Sequence, residues 1–363
     1  MWPRTDLLDL LGITHPIIQA PMSGFSTPAL VAAVSNAGAL GSIGCATLPT
    51  QTTRDQIEEL RRASNRPFNL NFFVHPVPSI DALAAGRVRE RLAAYYDEFG
   101  LGAVPEASDP FPRFDEERLQ MMLDLRPPVV SFHFGLPPAD TMKRIKQSGA
   151  VVLSSATTVA EARKLEAAGA DAIIAQGFEA GGHRGTFTKG DGAGLIGTMA
   201  LVPQVVDAVS VPVIAAGGIA DGRGIAAAFA LGASGVQMGT AFLGCPEAAV
   251  PEVHRSALHG APDEDTCLTR VFTGRPARAL RNRLIDEMGD AEALEFPAQA
   301  SLTRRLWQGK SDPALQAFLP LWAGQAAPLI RDLPAATFID TLVVEARKRF
   351  ADERANTAGP HSG

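Results

Sequence analysis

The sequence predicts an α/β protein built as a (β/α)8 TIM barrel, with an inserted helical segment and a C-terminal helical extension. Eight short apolar runs alternate with helix-like segments between residues 15 and 243. The runs are rich in Val and Ile, as expected of parallel strands buried on both faces. A doubly wound sheet would normally place its glycine fingerprint in the first βα turn. That turn reads APMSGFS and lacks GxGxxG, while the glycine-rich turns come late, so the barrel is favoured.

The eight apolar runs follow one another at intervals that suit βα units. They span residues 15–21, 39–44, 68–74, 128–135, 150–156, 171–176, 211–218 and 234–243. Helix-like segments occupy the intervals, and the first begins after the N-cap residue Thr27 and stops at Gly38. Eight such units over roughly 200–250 residues match the usual length of a (β/α)8 barrel.

Two stretches interrupt this alternation. Residues 76–126 are longer and more charged than the other intervals, which predicts an inserted helical segment, and after residue 245 the pattern loosens. We expect residues 1–245 to form the barrel, 246–350 to form a helical extension packed against it, and 351–363 to be a flexible tail.

Several arginines outside the apolar runs need an interpretation. A basic run in the extension has partial i, i+3 spacing, which favours a solvated helix face or structural ion pairs over a phosphate site. It comprises Arg270, Arg275, Arg278, Arg281 and Arg283. Arg184 has two interpretations, a partner for a carboxylate or a solvated loop charge.

The composition and charge of the chain limit the kinds of function it can have. The chain has 363 residues, 46% of them apolar and 20% charged, and a net charge of −6, which suits a globular enzyme and argues against a nucleic-acid partner. No apolar stretch approaches the roughly 18 residues of a membrane span, and no signal peptide is visible. Three scattered cysteines without a CxxC pair predict neither a metal site nor disulfides. We expect a soluble, cytoplasmic protein with a small-molecule substrate, and a homodimer remains open.

The late glycine turns predict a phosphate site. AAGGIADGRG and QMGT follow the seventh and eighth runs, where barrels habitually bind phosphate. Glycines expose backbone N–H groups that can donate to an anion. The alternative is that these glycines only form tight turns. The amides of Asn71, Gln176 and Gln237, near strand ends, could contact a heteroaromatic edge, or each could bond only loop backbone. Together with a phosphate site they suggest flavin mononucleotide.

Two histidines are the candidate catalytic residues. His183 lies in the glycine-rich loop QGFEAGGHRGTF, where a side chain is not expected to pack in the hydrophobic core. His133 lies near the end of the fourth run, where it could face the site or be a buried core histidine. Either side chain could donate to an anion or accept a proton.

Several strings resemble the nitronate monooxygenase family, formerly called 2-nitropropane dioxygenases. They are PIIQAPMSGFSTPALVAAVSNAGALGSIG, VVSFHFGLP, AQGFEAGGHRGTF, PVIAAGGIADGRG and ALGASGVQMGTAFL, and they fall between about residues 13 and 245. The resemblance implies an FMN-dependent barrel that oxidises alkyl nitronates with O2 to a carbonyl compound and nitrite. It further implies that His183 is the active-site histidine and that His133 lines the substrate pocket.

Cofactor-binding positions follow from the resemblance and from the barrel geometry together. They are Met22, Ser23, Gly24, Asn71, Gln176, Gly181, Gly182, Gly217, Gly218, Gln237, Met238, Gly239 and Thr240.

One segment departs from the family pattern. PAQASLTRRLWQGK, residues 297–310, contains no tyrosine, although the resemblance implies tyrosines and a lysine there, so we expect an altered pocket wall. Two alternatives remain: an NAD(P)H-dependent flavin reductase acting on quinone or enoyl substrates, and a non-catalytic protein that binds a flavin or another phosphate ligand.

Overall fold

The computed structural model of the chain describes residues 2–188, 194–289, 292–308 and 317–357. The strands within these ranges are β1 (Ile17–Gln19), β2 (Gly41–Gly44), β3 (Phe68–Phe73), β4 (Val129–His133), β5 (Val151–Ala156), β6 (Ala172–Gln176), β7 (Gly182–His183), β8 (Val213–Ala216), β9 (Gly235–Met238), β10 (Thr266–Thr269) and β11 (Ala277–Leu280).

Eight of these strands form one parallel sheet in the order β1-β9-β8-β6-β5-β4-β3-β2. A parallel bridge between Ile18 and Leu40 joins β1 to the residue before β2, so the sheet closes on itself. Every residue of β2, β6 and β8 is buried, as packing on both faces requires. The predicted (β/α)8 barrel is confirmed, and each barrel strand lies within one of the predicted apolar runs.

Helices alternate with the barrel strands. The α-helices in the described ranges are α1 (Asp6–Leu11), α2 (Pro28–Asn36), α3 (Thr50–Ala63), α4 (Ala82–Glu98), α5 (Glu116–Leu125), α6 (Ala139–Gln147), α7 (Val159–Ala167), α8 (Thr198–Val206), α9 (Gly222–Ala230), α10 (Glu252–Gly260), α11 (Arg283–Met288), α12 (Ala298–Gln308) and α13 (Ala335–Thr357). Side chains that accept a hydrogen bond from the first turn start several of them, including Thr27 at α2 and Thr158 at α7.

Helix α1 covers the N-terminal end of the barrel. Leu7 and Leu11 join the apolar cluster of strand residues inside the barrel. The Asp6 carboxylate accepts a hydrogen bond of 2.7 Å from the Ser234 hydroxyl, just before β9. Because this end is covered, a ligand site is expected at the C-terminal ends of the strands.

The long helix α13 is the eighth barrel helix. It packs against α2 and α9, and the Gly222 N–H that opens α9 donates to the Glu345 carboxylate at 3.0 Å. The predicted boundary at residue 245 therefore separates this helix from the barrel to which it belongs. The helix also runs beyond the predicted start of the tail at 351, to Thr357; residues 358–363 lie outside the described residues. The sequence pattern did not assign this helix to the barrel, because the long segment between it and β9 interrupts the regular alternation of strands and helices.

The segments between β9 and α13 combine with α4 into a lobe, which comprises α4, α10, α11, α12, β10 and β11. Helix α4 packs against α12, and the Tyr96 hydroxyl donates to the Leu302 carbonyl at 2.6 Å. Helix α5 instead contacts α3 and α6, so it is the ordinary helix of the third βα unit. The inserted segment therefore ends before residue 115.

The predicted helical extension also contains a sheet. Strands β10 and β11 pair antiparallel, and β11 pairs antiparallel with β7, where Ala277 lies opposite His183. This sheet joins the lobe to the loop after β6. Sequence analysis missed it because each strand has at most four residues.

The basic run is not a helix face, because β11 lies within it. Arg278 is only 2% exposed, its Nε donates to the Phe178 carbonyl at 3.1 Å, and its guanidinium lies 4.4 Å from the Phe178 ring centroid. Arg184 is also 2% exposed, so its interpretation as a solvated loop charge is wrong as well. Arg281 and Arg283 form exposed ion pairs, with Asp286 and Glu98, as the spacing indicated.

Candidate functional site

A cavity of about 560 Å3 lies at the C-terminal ends of the barrel strands and beneath the lobe. This volume is typical of small-molecule and cofactor sites. All the predicted site residues line it, namely His133, His183, Met22, Ser23, Gly24, Asn71, Gln176, Gly181, Gly182, Gly217, Gly218, Gln237, Met238, Gly239 and Thr240. The structure thus brings them together, while their roles in catalysis and cofactor binding stay predictions.

The loop after β6 is fastened to the strand that precedes it. Gln176 Nε2 donates to the His183 carbonyl at 3.0 Å, and Gln176 Oε1 accepts from Gly185 N–H at 2.7 Å. The buried Arg184 guanidinium donates to the Gln176 carbonyl at 3.1 Å and to the Gly194 carbonyl at 2.8 Å. The loop is therefore rigid where His183 is attached, despite its glycines.

A buried carboxylate holds the far end of the same loop. Glu161, on α7, has no exposed surface. It accepts hydrogen bonds from the backbone N–H groups of Thr157 at 2.8 Å, Phe187 at 2.8 Å and Thr188 at 3.2 Å. Backbone donors thus satisfy a charge that would otherwise be costly to bury.

The His183 imidazole lines the cavity and touches the lobe. Its Nε2 lies 2.9 Å from the Thr273 hydroxyl. Four aromatic rings have centroids within 6.1 Å of the imidazole centroid: Phe73, Phe134, Phe296 and Trp322. Burial, with smaller contributions from His133 and Arg275, lowers the pKa of His183 to about 3. The imidazole is therefore neutral at neutral pH.

The His133 imidazole uses both nitrogens within the protein. Nε2 lies 3.1 Å from the His183 carbonyl and Nδ1 lies 3.0 Å from the Ser155 hydroxyl. Because a carbonyl only accepts, Nε2 holds the proton and Nδ1 accepts from Ser155. Burial is the main cause that lowers the pKa of His133 to about 4. This geometry favours positioning of the His183 backbone, and the predicted catalytic role stays a prediction.

The three predicted amide side chains differ in whether their hydrogen-bonding atoms already have protein partners. The side chain of Gln176 is occupied by its own loop, as the simpler interpretation held. Asn71 Nδ2 donates to the Ser131 hydroxyl at 2.9 Å. Gln237 Oε1 is buried and has no hydrogen-bond partner among the described residues. A buried acceptor without a donor fits a cavity built for a ligand with N–H or O–H groups.

The late glycine turns offer unpaired donors. Gly217 and Gly218 have φ values of 107° and 73°, a conformation that favours glycine. In the described parts of the chain, the N–H groups of Gly218 and Gly239 have no protein acceptor. These donors could bind a phosphate, and the free Gln237 acceptor could contact a polar ring edge, which is the pair of features expected of a flavin mononucleotide site.

Sequence analysis missed the contribution of the lobe to this cavity. Thr273, Trp322 and the buried His254 line it, as do Arg304 and Trp307 from the tyrosine-free segment. The only sequence signal for Thr273 was that a weaker resemblance to the same family continues into the string TRVFTGRPARALRNRL, which contains it. Lys310, at the end of that segment, lies outside the described residues.

The described ranges show neither a metal site nor a membrane-spanning helix. They contain no group of three or more His, Cys, Asp or Glu side chains able to hold a metal ion. None of the helices in those ranges has both the length and the apolar character needed to cross a bilayer. Cys45 and Cys245 are free thiols, and burial, the main cause, raises the pKa of each to about 12.

Comparison with known proteins agrees with this geometry. The family model described as nitronate monooxygenase matches residues 4–345. A nitronate monooxygenase of Pseudomonas aeruginosa is 46% identical over 348 residues, covering 93% of this chain and 98% of that protein. Another, from Paraburkholderia phytofirmans, is 42% identical over 353 residues, covering 96% of each.

Two solved structures are similar over nearly the whole chain. The nitroalkane oxidase of Streptomyces ansochromogenes is 40% identical with a TM-score of 0.87, covering 95% of this chain and 99% of that one. FabK from Thermotoga maritima is 32% identical with a TM-score of 0.76, covering 98% of this chain and 100% of that one. The resemblance seen in the sequence motifs is confirmed, and the chain belongs to the nitronate monooxygenase family.

Proposed function

We propose that the protein oxidises alkyl nitronates with O2, using FMN, to a carbonyl compound and nitrite. The observation that supports this most strongly is the single cavity in which His183, the glycine turns and the free Gln237 acceptor meet. Family membership supports the oxidation of nitronates independently.

The residues that would hold FMN provide different hydrogen-bonding groups. Gly218 and Gly239 offer backbone N–H groups for a phosphate, and Gln237 offers an amide acceptor for a polar ring edge. When bound, FMN supplies the electron-accepting chemistry of the reaction. The four aromatic rings around His183, of which Phe134 and Phe296 are buried, limit the access of water to this part of the cavity, which strengthens hydrogen bonds formed there.

The state of His183 suits a substrate that is already an anion. A nitronate has lost its carbon-bound proton before it binds, so the enzyme does not need a base. A neutral imidazole can donate one hydrogen bond to a nitronate oxygen, while the aromatic rings shape the pocket around the substrate.

The first test replaces the imidazole. His183→Asn should retain flavin and lose about 100-fold in turnover with nitronate, the loss typical of removing one preorganised donor to an anion. Oxygen consumption measures this. His259→Asn is the matched control, because His259 lies on α10 and contacts only the exposed Asp332 carboxylate among the described residues. Equal turnover of the His183 variant and the control would contradict the proposal.

A second candidate is an NAD(P)H-dependent flavin reductase, favoured by the likeness to the FabK structure. The purified protein is mixed anaerobically with propionate 3-nitronate, and separately with NADH and NADPH. Bleaching of the flavin absorbance by nitronate alone supports the proposed function, and rapid bleaching by a nicotinamide supports the reductase. A protein that gains no yellow colour with FMN would contradict both.

A further inference from the structure

The hydroxyl of Thr273 is the protein group that contacts the His183 imidazole through a hydrogen bond. Thr273 is 5% exposed and lies in the lobe, ninety positions along the chain from His183. The family resemblance assigned it no role. The contact therefore depends on how the lobe is built against the barrel.

Two side chains of α12 hold the turn that contains Thr273. Gln299 Nε2 donates to the Val271 carbonyl at 3.0 Å, and the Thr303 hydroxyl donates to the Phe272 carbonyl at 2.7 Å. Both side chains are fully buried. The Thr273 hydroxyl is thus held in place rather than free to follow the imidazole.

The hydrogen of the Thr273 hydroxyl has one protein acceptor in the described part of the chain. Among the described residues, Nε2 of His183 is the only hydrogen-bond partner of this hydroxyl. If Nε2 were protonated, it would donate to the hydroxyl and leave the hydroxyl hydrogen without a protein acceptor in the described ranges, which is unfavourable for a group that is 5% exposed. If Nε2 is unprotonated, the hydroxyl donates to it and both groups are satisfied.

The other ring nitrogen then has a proton to donate. Nδ1 of His183 has no protein partner in the described part of the chain, and the ring lines the cavity. The surrounding side chains are aromatic rings, which offer no carboxylate to accept this proton. An oxygen of a bound ligand is the acceptor that the site lacks.

We propose that Thr273 is a positioning residue that fixes His183 as the Nδ1–H tautomer, so that the imidazole donates to an oxygen of the substrate and cannot act as a base toward a C–H group. This inference rests on the proposed function, because it specifies an anionic nitronate rather than a neutral nitroalkane as the substrate. The Nε2 lone pair, the only basic site of this tautomer, is occupied by the Thr273 hydroxyl.

The test compares the wild type with Thr273→Val, which keeps the shape and lacks the hydroxyl, and Thr273→Ser, which keeps the hydroxyl. The FMN-loaded proteins are labelled with [15N]histidine, and the two-bond proton–nitrogen NMR pattern of each imidazole distinguishes the tautomers. His183→Asn identifies the His183 signals by their loss. We expect the Nδ1–H tautomer in the wild type and the serine variant, and a mixture or the Nε2–H tautomer in the valine variant.

Kinetics provide a second readout. Thr273→Val should lower kcat/KM for a nitronate about tenfold, the fold-change for the loss of one neutral hydrogen bond, mainly through KM, and Thr273→Ser should restore it. An Nε2–H tautomer in the wild type, or a valine variant with unchanged tautomer, would overturn the inference. If the valine variant does not fold, the wild-type and serine spectra still decide the tautomer.

The two proposals fail in different ways. A protein that shows the Nδ1–H tautomer but consumes no oxygen with nitronate would remove the proposed function and leave the tautomer assignment standing. A protein that oxidises nitronate while His183 shows the Nε2–H tautomer would remove only the role of Thr273.

Discussion

Replacing Glu161 tests whether one buried carboxylate holds the loop of His183 in place. Glu161→Ala removes the acceptor from the backbone N–H groups of Thr157, Phe187 and Thr188. Each buried donor left without a partner costs at least about 1 kcal/mol, so three of them predict a loss of about 3 kcal/mol in the free energy of unfolding. Glu161→Gln should lose less, because an amide retains one acceptor oxygen.

The measurement is chemical denaturation at a fixed flavin concentration, because any ligand of the native state raises apparent stability. Glu166→Ala is the matched control: it lies on the same helix and accepts one hydrogen bond, from Ser210 N–H at 2.6 Å. We expect the control to lose less than about 1 kcal/mol. Hydrogen exchange at the Phe187 and Thr188 amides should accelerate only in the Glu161 variants. An unfolding free energy of Glu161→Ala within about 0.5 kcal/mol of the wild type would refute the reasoning.

Two further predictions follow from the site. In Gly181→Ala the new Cβ would lie 2.6 Å from the backbone of Ala323 and Gly324, so activity should fall more than tenfold. In the control Gly182→Ala the new Cβ meets no atom within 4 Å. This control should lose only about 1–2 kcal/mol of stability, because its backbone is left-handed. Equal activity of these variants would contradict the packing argument. Burial lowers the pKa of His133 and His254 to about 4 and that of His183 to about 3, so between pH 6.5 and 5 the unfolded chain binds more protons. Stability should therefore fall as pH falls in this range, by up to about 1.4 kcal/mol per pH unit for each histidine; a melting temperature that stays level or rises from pH 6.5 to 5 would contradict this.

The barrel could be predicted because its strands are defined locally. Runs such as residues 150–156 are mainly apolar and contain β-branched valines, and each of the eight contains a strand within the predicted bounds. The glycine turns and the loop of His183 were also visible locally, because glycine at strand ends serves few purposes besides turns and ligand contact. The predicted site residues consequently met in one cavity.

The errors share a different cause. The run around Arg278 resembled a helix face because spacing alone does not distinguish a short strand from an irregular helix. Helix α13 was assigned to the extension because a long lobe separates it from β9, the strand that it follows in the barrel. The sequence left open whether the Gln176 amide bonds its own loop or a ligand, because that depends on backbone geometry; the structure shows bonds to the loop, and the flavin contact stays a prediction.

The sequence by itself determined the closed parallel barrel, its phosphate-compatible turns and the family, since each depends on patterns within a few residues. Only the tertiary structure decided what surrounds His183. Thr273 reaches the imidazole from ninety positions away, and the carboxylate that holds the loop comes from α7. Such contacts depend on the path of the whole chain, because the free energy of a hydrogen bond depends on distance in space and not on separation in sequence.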